Sequence, residues 1–243
     1  MRPALAALCF LAFGAPALAI TGKAPPASGA LARVIVMLTD SDGDLCTGTA
    51  LSREVVLTAA HCVMGERKRG VKAYQTGESI PVRRVVRHPR FDAKAYAMSR
   101  ATADVALVQL TKPLPDIVAA AELATARRVT FGDTLTIAGF GVTAAFTPYG
   151  LGIPREAALT VTGQPGSLQI RLVDPTTNNQ RAGLGACTGD SGAPAFDAEG
   201  RIVGVVSWST APNNETGCGG LTGLTPLVNY KEWIEREMKS LGS

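Results

Sequence analysis

Histidines are scarce in this sequence, with two in 243 residues, and C-x-x-C pairs are missing. Zinc sites take their ligands from cysteine and histidine at short spacings, so the usual zinc frameworks are excluded. Charged residues make up only 18% of the chain against 46% hydrophobic residues, which argues against intrinsic disorder. Aromatic residues reach only 5%, so a core must rest on Val, Leu, Ile and Ala. The sequence therefore predicts a globular protein with an aliphatic core, no metal site and no cofactor.

The first 19 residues carry the features of a secretory signal peptide. Arg2 gives a positive start, residues 5–13 form an apolar run, and Ala17-Leu18-Ala19 is an A-x-A cleavage site. A membrane anchor is the alternative, because no charge occurs between Arg2 and Lys23, but the stretch is barely long enough to span a bilayer. We expect an exported protein, secreted or periplasmic, with no stable membrane anchor after cleavage.

Cysteines are few and even in number once the signal peptide, with Cys9, is removed. Four remain, at Cys46, Cys62, Cys187 and Cys218. An even count in an exported chain indicates disulfides, and four cysteines allow three pairings.

Short apolar segments recur along the mature chain, separated by Gly, Pro and Asp turns. Several are β-branched or alternate in polarity, which predicts strands at 33–38, 54–57, 81–87, 105–110, 134–138, 159–162, 168–172 and 202–207. Many short strands with frequent turns favour barrels or a sandwich. The tail differs, because residues 226–241 carry apolar side chains at helical spacing and predict one amphipathic helix.

Two charged motifs have ordinary structural explanations. Residues 40–44 (Asp-Ser-Asp-Gly-Asp) resemble the start of a calcium loop, but the glycine stands in the fourth place and Leu51 occupies the twelfth, so Asp42-Gly43 is better explained as a hairpin turn. Arg83, Arg84, Arg87 and Arg90 form a basic cluster that is typical of a solvated strand edge, with heparin or nucleic-acid binding as the alternative. We expect no nucleic-acid partner.

Three motifs that are far apart in the chain contain the residues of a nucleophilic centre: Thr58-Ala59-Ala60-His61-Cys62, Asp104-Val105-Ala106-Leu107 and Cys187-Thr188-Gly189-Asp190-Ser191-Gly192. A serine hydroxyl is a weak nucleophile at neutral pH and needs a base within hydrogen-bond reach, which itself needs an orienting group. Each motif alone means little. Together, in the order His, Asp, Ser and with flanking cysteines, they closely resemble the chymotrypsin/trypsin family of serine proteases.

The resemblance implies an all-β fold of two packed six-stranded antiparallel barrels, about 30–115 and about 126–228, with a C-terminal helix at about 226–241 against the second barrel. The signal peptide would be residues 1–19 and the protease domain residues 20–243. The resemblance also implies the disulfides Cys46–Cys62 and Cys187–Cys218. The catalytic site would lie in the cleft between the barrels.

The resemblance implies an endopeptidase that acts through an acyl-enzyme. Ser191 would be the nucleophile, His61 the base and Asp104 the group that orients the imidazole. The N–H groups of Gly189 and Ser191 would form the oxyanion hole, and Ser207 would hydrogen-bond to Asp104. We expect a monomer that acts on protein or peptide substrates and has protein inhibitors as possible further partners.

Activation in the family depends on a new N-terminal amine that pairs with a buried aspartate. Here Asp190 is that aspartate, and cleavage after Ala19 would expose the sequence Ile20-Thr21-Gly22-Lys23. The hypothesis is that signal peptidase itself creates the active N-terminus at Ile20.

Substrate preference is predicted from the residues that match the family's primary pocket. Gly185 and Ala186 would form its floor, with Ser209 and Gly223 as walls. Without an aspartate at the floor, the pocket would be uncharged and would favour apolar or aromatic side chains. Basic specificity stays open, because Glu215 lies in a long loop beside the pocket. Two functions also stay open: a protease-fold binding protein with little catalysis, and an esterase.

Overall fold

The computed structural model describes residues 20–124, 128–164 and 167–242, so the predicted signal peptide at 1–19 lies outside the described residues. The first half of the described chain forms a closed barrel in the order β1-β2-β3-β6-β5-β4. All of its neighbouring strands are antiparallel. The bounds are β1 Ile35–Asp40, β2 Leu45–Ala50, β3 Val55–Thr58, β4 Arg69–Lys72, β5 Ser79–Arg87 and β6 Ala106–Leu110.

The second half forms another closed antiparallel barrel, in the order β10-β11-β12-β9-β8-β7. Its strands are β7 Thr134–Gly139, β8 Arg155–Gly163, β9 Ile170–Val173, β10 Pro194–Phe196, β11 Ile202–Ser209 and β12 Thr222–Pro226. The prediction of two six-stranded antiparallel barrels is confirmed.

Alternation along the strands sends side chains into three separate apolar cores. On β1, Val36 and Leu38 pack inside the first barrel. Ile35 and Met37, which point to the other face, join a cluster that also contains Phe140 and residues of β11. A third cluster fills the second barrel. Successive residues of a strand face opposite sides, so a strand that is buried on both faces has consecutive apolar residues in its sequence, as β1 has at 35–38. The cluster between the barrels fixes the cleft in which the polar motifs meet.

In the described part of the chain, three short α-helices accompany the strands: α1 Gly29–Ala32, α2 Ala93–Ala97 and α3 Lys231–Ser240. The C-terminal helix starts later than predicted, because a separate 3-10 turn occupies Leu227–Asn229. Its Trp233 packs edge-on against His88 of the first barrel, with ring centroids 4.9 Å apart. The helix therefore spans the interface between the barrels instead of packing on the second barrel alone. Burial lowers the pKa of His88, consistent with a packed, neutral ring.

The two charged motifs take structural places in the first barrel. Asp42 and Gly43 form the β1–β2 hairpin turn, where Gly43 has a φ of +87°. Arg67 makes ion pairs with Asp40, Asp42 and Asp44, so one guanidinium already bridges the three carboxylates and offsets one of their charges. We expected Arg83, Arg84 and Arg87 to lie on a strand edge. They do not, because β5 pairs with β4 on one side and with β6 on the other. Closure of the barrel removes that edge.

Among the described residues, no helix is long and apolar enough to cross a membrane.

Candidate active site

The three motifs of the sequence meet in the cleft between the barrels. His61 lies in the 3-10 turn Ala60–Val63 that follows β3, and Asp104 lies two residues before β6. Because β3 pairs with β6, the ends of these strands bring both residues to the same rim of the first barrel. Ser191 comes from the second barrel, in the loop before β10. His61 and Ser191 line one cavity of about 580 Å³.

The His61 ring is held by a buried carboxylate. Nδ1 of His61 lies 2.7 Å from Oδ2 of Asp104, and the backbone N–H of His61 donates to Oδ1 at 2.9 Å. The Ser207 hydroxyl donates to Oδ2 of Asp104 at 2.5 Å. Asp104 is 1% exposed, so these bonds supply the partners that a buried carboxylate needs. With Nδ1 donating to Asp104, Nε2 of a neutral imidazole carries no proton and can act as a base.

Ser191 shares the cavity with His61 without a direct hydrogen bond. The hydrogen bonds between described residues do not include one from the Ser191 hydroxyl to the imidazole, and Nε2 lies 3.7 Å from Sγ of Cys62. Such contacts are often long before substrate binds and tighten in the complex. The structure thus joins His61, Asp104 and Ser207 directly and places Ser191 beside them.

The loop before β10 presents unpaired backbone donors at the wall of the cavity. Among the described hydrogen bonds, the N–H groups of Gly189 and Ser191 have no acceptor, whereas the intervening Asp190 N–H donates to the carbonyl of Cys187. Gly189 has a φ of +95°, and a Cβ atom there would lie 2.9 Å from the Cα of Gly141. Only glycine fits this backbone conformation and this close approach. The conformation leaves two neighbouring donors available to a bound oxyanion.

A threonine of the first barrel holds this loop in place. The Thr47 hydroxyl donates to the carbonyl of Gly189 at 2.9 Å, and its N–H donates to the carbonyl of Ser191 at 2.8 Å. The same hydroxyl accepts from the N–H of Phe140 at 3.1 Å. Gly192 is also pressed against β2, because a Cβ there would lie 2.2 Å from the carbonyl oxygen of Thr47. The nucleophile loop is therefore anchored to the opposite barrel.

Asp190 is a fully buried carboxylate with backbone partners only. Its oxygens accept from the N–H groups of Gly141 at 2.8 Å and Cys187 at 2.9 Å. Burial raises the pKa of Asp190 to about 7. No cation pairs with it among the described residues. Ile20 is also completely buried, and the next residue, Thr21, donates its N–H to the carbonyl of Gly185 at 3.1 Å. The described chain therefore begins inside the second barrel.

Two disulfides flank the site, as the resemblance implied. Cys46–Cys62 links β2 to the turn that carries His61, and Cys187–Cys218 links the nucleophile loop to the segment before β12. The predicted pairing is confirmed. Cys46, His61 and Cys62 also bring three potential metal-ligand atoms together, but the two sulfurs are bonded to each other and offer no thiolate.

The residues predicted for the primary pocket have different surroundings. Gly185 and Ala186 are buried, and Ser209 lines the cavity that also holds His61 and Ser191. Gly223 faces the Trp208 indole, because a Cβ there would lie 1.9 Å from the ring atom Cε2. The preceding residue, Thr222, is fully buried and faces Gly185: a Cβ on Gly185 would lie 3.3 Å from the Oγ1 of Thr222, which accepts from the N–H of Ala186 at 3.0 Å. Thr222 and Gly223 face opposite sides because successive residues of a strand alternate.

Tyr96 is a further cleft residue that the sequence did not single out. Its ring stacks on His61 with centroids 4.5 Å apart and planes 11° apart. It sits on α2, whose N-terminus is capped by the Asp92 side chain. Burial, together with the charge of Asp104, raises the pKa of Tyr96 to about 12, so its hydroxyl stays protonated. A five-residue helix is too short to leave a periodic hydrophobic pattern, so the sequence did not predict α2.

A histidine–carboxylate pair, a serine in the same cleft and two free backbone donors define a two-barrel serine hydrolase. Comparisons with known proteins narrow this class. Residues 20–234 match the family model described as Trypsin. The chain is 26% identical over 211 residues to snake venom serine protease rhinocerase 4 of Bitis rhinoceros, covering 83% of this chain and 81% of that one. It is 27% identical over 221 residues to Scolexin B of Heliothis virescens, covering 80% and 75%.

Among solved structures, human heparin binding protein superposes with a TM-score of 0.72 at 22% identity, covering 88% of this chain and 95% of that one. This likeness concerns the fold. The chain belongs to the trypsin family. It is a serine endopeptidase that acts on protein or peptide substrates, and the binding-protein alternative is not favoured.

Proposed function

We propose that this protein is an exported serine endopeptidase that cleaves after small apolar residues through an acyl-enzyme on Ser191. The observation that carries the proposal is that His61, bonded to the buried Asp104, lines one cavity together with Ser191. Export is supported by the signal-peptide features at 1–19 and by relatives described as venom proteases. Periplasmic and extracellular destinations are equally compatible with such a signal.

The chemistry follows from which atoms are free. Nε2 of His61 takes the Ser191 proton while Oγ attacks the substrate carbonyl, and Asp104 stabilises the imidazolium that forms. The N–H groups of Gly189 and Ser191 bind the oxyanion. His61 then gives its proton to the leaving amine, and the acyl group stays on Ser191. Water, deprotonated by His61, releases the acyl group and restores the serine.

The primary pocket is proposed to be uncharged and shallow, with Thr222 replacing Gly223 as the second wall. Supporting this, a single added carbon on Gly185 would already contact Thr222 at 3.3 Å and the Cα of Gly219 at 3.5 Å. An aromatic side chain that reached the floor would collide with both. The proposed occupants are therefore small apolar side chains such as Ala or Val. Glu215 is exposed and lines neither of the two large cavities, which speaks against basic specificity.

The mature N-terminus is proposed to be Ile20, produced directly by signal peptidase. The family match starts at residue 20, and Ile20 is already buried beside the loop of Asp190. An ammonium at Ile20 would supply the cation that Asp190 lacks. Pairing matters, because an uncompensated buried charge costs several kcal/mol.

Cleavage of a diverse peptide library by the mature protein, read by mass spectrometry, tests the proposal, with Ser191→Ala as the matched control. We expect cuts after Ala or Val that the control does not make, and labelling of Ser191 by a serine-directed phosphonate. Cuts predominantly after Arg, Lys, Phe or Tyr would refute the shallow uncharged pocket. Activity that survives Ser191→Ala would refute the assigned nucleophile. Comparing amide and ester versions of one substrate decides the esterase alternative.

A further inference from the structure

A second cavity, of about 620 Å³, adjoins the catalytic cleft, and the charged side chains among its described lining residues are all positive. Tyr96, Ser207, Trp208 and Ser209 line both cavities, so the two form one continuous surface. The remaining lining residues come from three parts of the chain: the end of α2 and the turn after it, the segment around the start of β9, and the strands and loop around β11 and β12.

The charged side chains that line this cavity are two arginines. Arg100 follows α2 and Arg171 lies in β9, so the two approach from different barrels. Both are exposed, and neither forms an ion pair among the described residues. The described residues that line the cavity include no carboxylate. Two unneutralised guanidinium groups beside the Trp208 indole favour an anionic group that also has an apolar stem, as aspartate and glutamate have.

The direction of a bound substrate follows from β11. The strand pairs with β12 through Ser209 but with β10 only through Val205, so its last residues have a strand neighbour on one side and the cleft on the other. An extended peptide can add to such an edge by backbone hydrogen bonds. Ser207 lies at the catalytic end, bonded to Asp104, and Ser209 lies farther along.

The half of the substrate that precedes the scissile bond belongs on this edge. A peptide that adds antiparallel to β11, as the neighbouring strands β10 and β12 do, runs from Ser209 towards Ser207 and reaches Ser191 at its end. The leaving half is left to the first-barrel side of the catalytic cavity, which Leu45 and Met64 line. Residues upstream of the cut therefore pass Ser207, then Ser209, and reach the second cavity.

We propose that Arg100 and Arg171 select substrates with an acidic residue upstream of the scissile bond. The inference rests on the proposed function, because it assumes that peptide is cleaved at Ser191. It adds a second determinant to a primary pocket that, being small and uncharged, provides little selectivity by itself. The enzyme would then recognise short segments in which an acidic residue is followed by a small apolar one.

The experiment compares two peptides that differ only in Glu or Gln at the upstream position that the library selects. We expect kcat/KM to be about fivefold higher for Glu at low salt, a modest ratio because exposed ion pairs contribute little each. The difference should lie mainly in KM. The ratio of kcat/KM for the Glu and Gln peptides should fall towards one at high salt, because salt screens interactions between exposed charges. Arg100→Gln with Arg171→Gln should remove the preference for Glu.

The matched control is Arg83→Gln with Arg84→Gln, which alters two exposed arginines on β5 and should keep both the activity and the preference. Equal rates for Glu and Gln peptides in the wild type, or a preference that survives in the Arg100/Arg171 variant, would overturn the inference. Either result leaves the proposed function standing if Ser191-dependent cleavage persists. Absence of all cleavage would instead refute the proposed function.

Discussion

Adding one residue to the mature N-terminus, so that the chain starts at Ala19, removes the proposed ammonium from Asp190. Without a cation, burial raises the pKa of this carboxyl from 3.8 to about 7. At about 1.4 kcal/mol per pH unit, ionising it inside the folded protein then costs about 4 kcal/mol. This cost falls on the loop whose N–H groups are proposed to bind the oxyanion.

The sign of the pH dependence follows from proton counting. The unfolded chain releases this proton near pH 4 and the extended folded chain near pH 7, so between these values the folded state binds more protons. The free energy of unfolding of the extended chain therefore falls by about 4 kcal/mol, through this group, as pH rises across that window. In the chain that starts at Ile20, the ammonium keeps Asp190 ionised and this fall is absent.

Denaturant unfolding from pH 4 to pH 8 measures the effect, with Ser191→Ala in every sample to prevent self-digestion. Asp190→Asn in the extended chain is the control, because it removes the titrating group and should flatten the curve. Identical pH profiles for the chains starting at Ala19 and Ile20 would refute the pairing. Peptide cleavage by the same two chains with Ser191 intact should be much weaker for the extended one.

Three further predictions concern the site. Ser207→Ala should lower kcat about tenfold with little change in KM, because a hydrogen bond to a charged group contributes about 1.5–3 kcal/mol; Ser240→Ala is the control, and an unchanged kcat would contradict the role. Thr222→Gly should raise kcat/KM for peptides with Phe before the cut by at least about tenfold, since burying such a side chain contributes about 1.5–3 kcal/mol; unchanged specificity would show that Thr222 does not limit the pocket. Replacing Cys187 and Cys218 by serine should lower the free energy of unfolding by about 4 kcal/mol, measured by denaturant titration; a loss under 1 kcal/mol would contradict the loop-closure estimate.

The strands that could be predicted are those with enough apolar or β-branched residues to show a period. β5 and β11 lie where the pattern placed them, at 81–87 and 202–207. The strands β2, β4, β10 and β12 were not predicted, because they are short or contain glycine, threonine and proline in place of an apolar alternation. Their positions are fixed by pairing with distant neighbours, which no local pattern contains.

In the candidate site, too, residues within distinctive sequence motifs could be predicted, whereas contacts that depend on strand register or on a short helix could not. The His61–Asp104–Ser207 bonds match the arrangement that the resemblance implied, since those motifs are distinctive. The contact between Thr222 and Gly185 depends on the register of β12, and the stacking of Tyr96 on His61 depends on a five-residue helix; neither has a signal in the sequence. The proposed replacement of Gly223 by Thr222 as a pocket wall is a shift of one residue, which in a strand reverses the face.

The bonds of Thr47 have a consequence for how the molecule unfolds. One residue of the first barrel holds the carbonyls of Gly189 and Ser191 and the N–H of Phe140, all in the second half of the chain. Separation of the barrels by local opening would break these bonds before either sheet frays. The amide hydrogens of Thr47 and Phe140 should therefore exchange when the barrels separate, at a lower free energy of opening than the amides inside either sheet, and neither barrel expressed alone should retain the loop's native conformation.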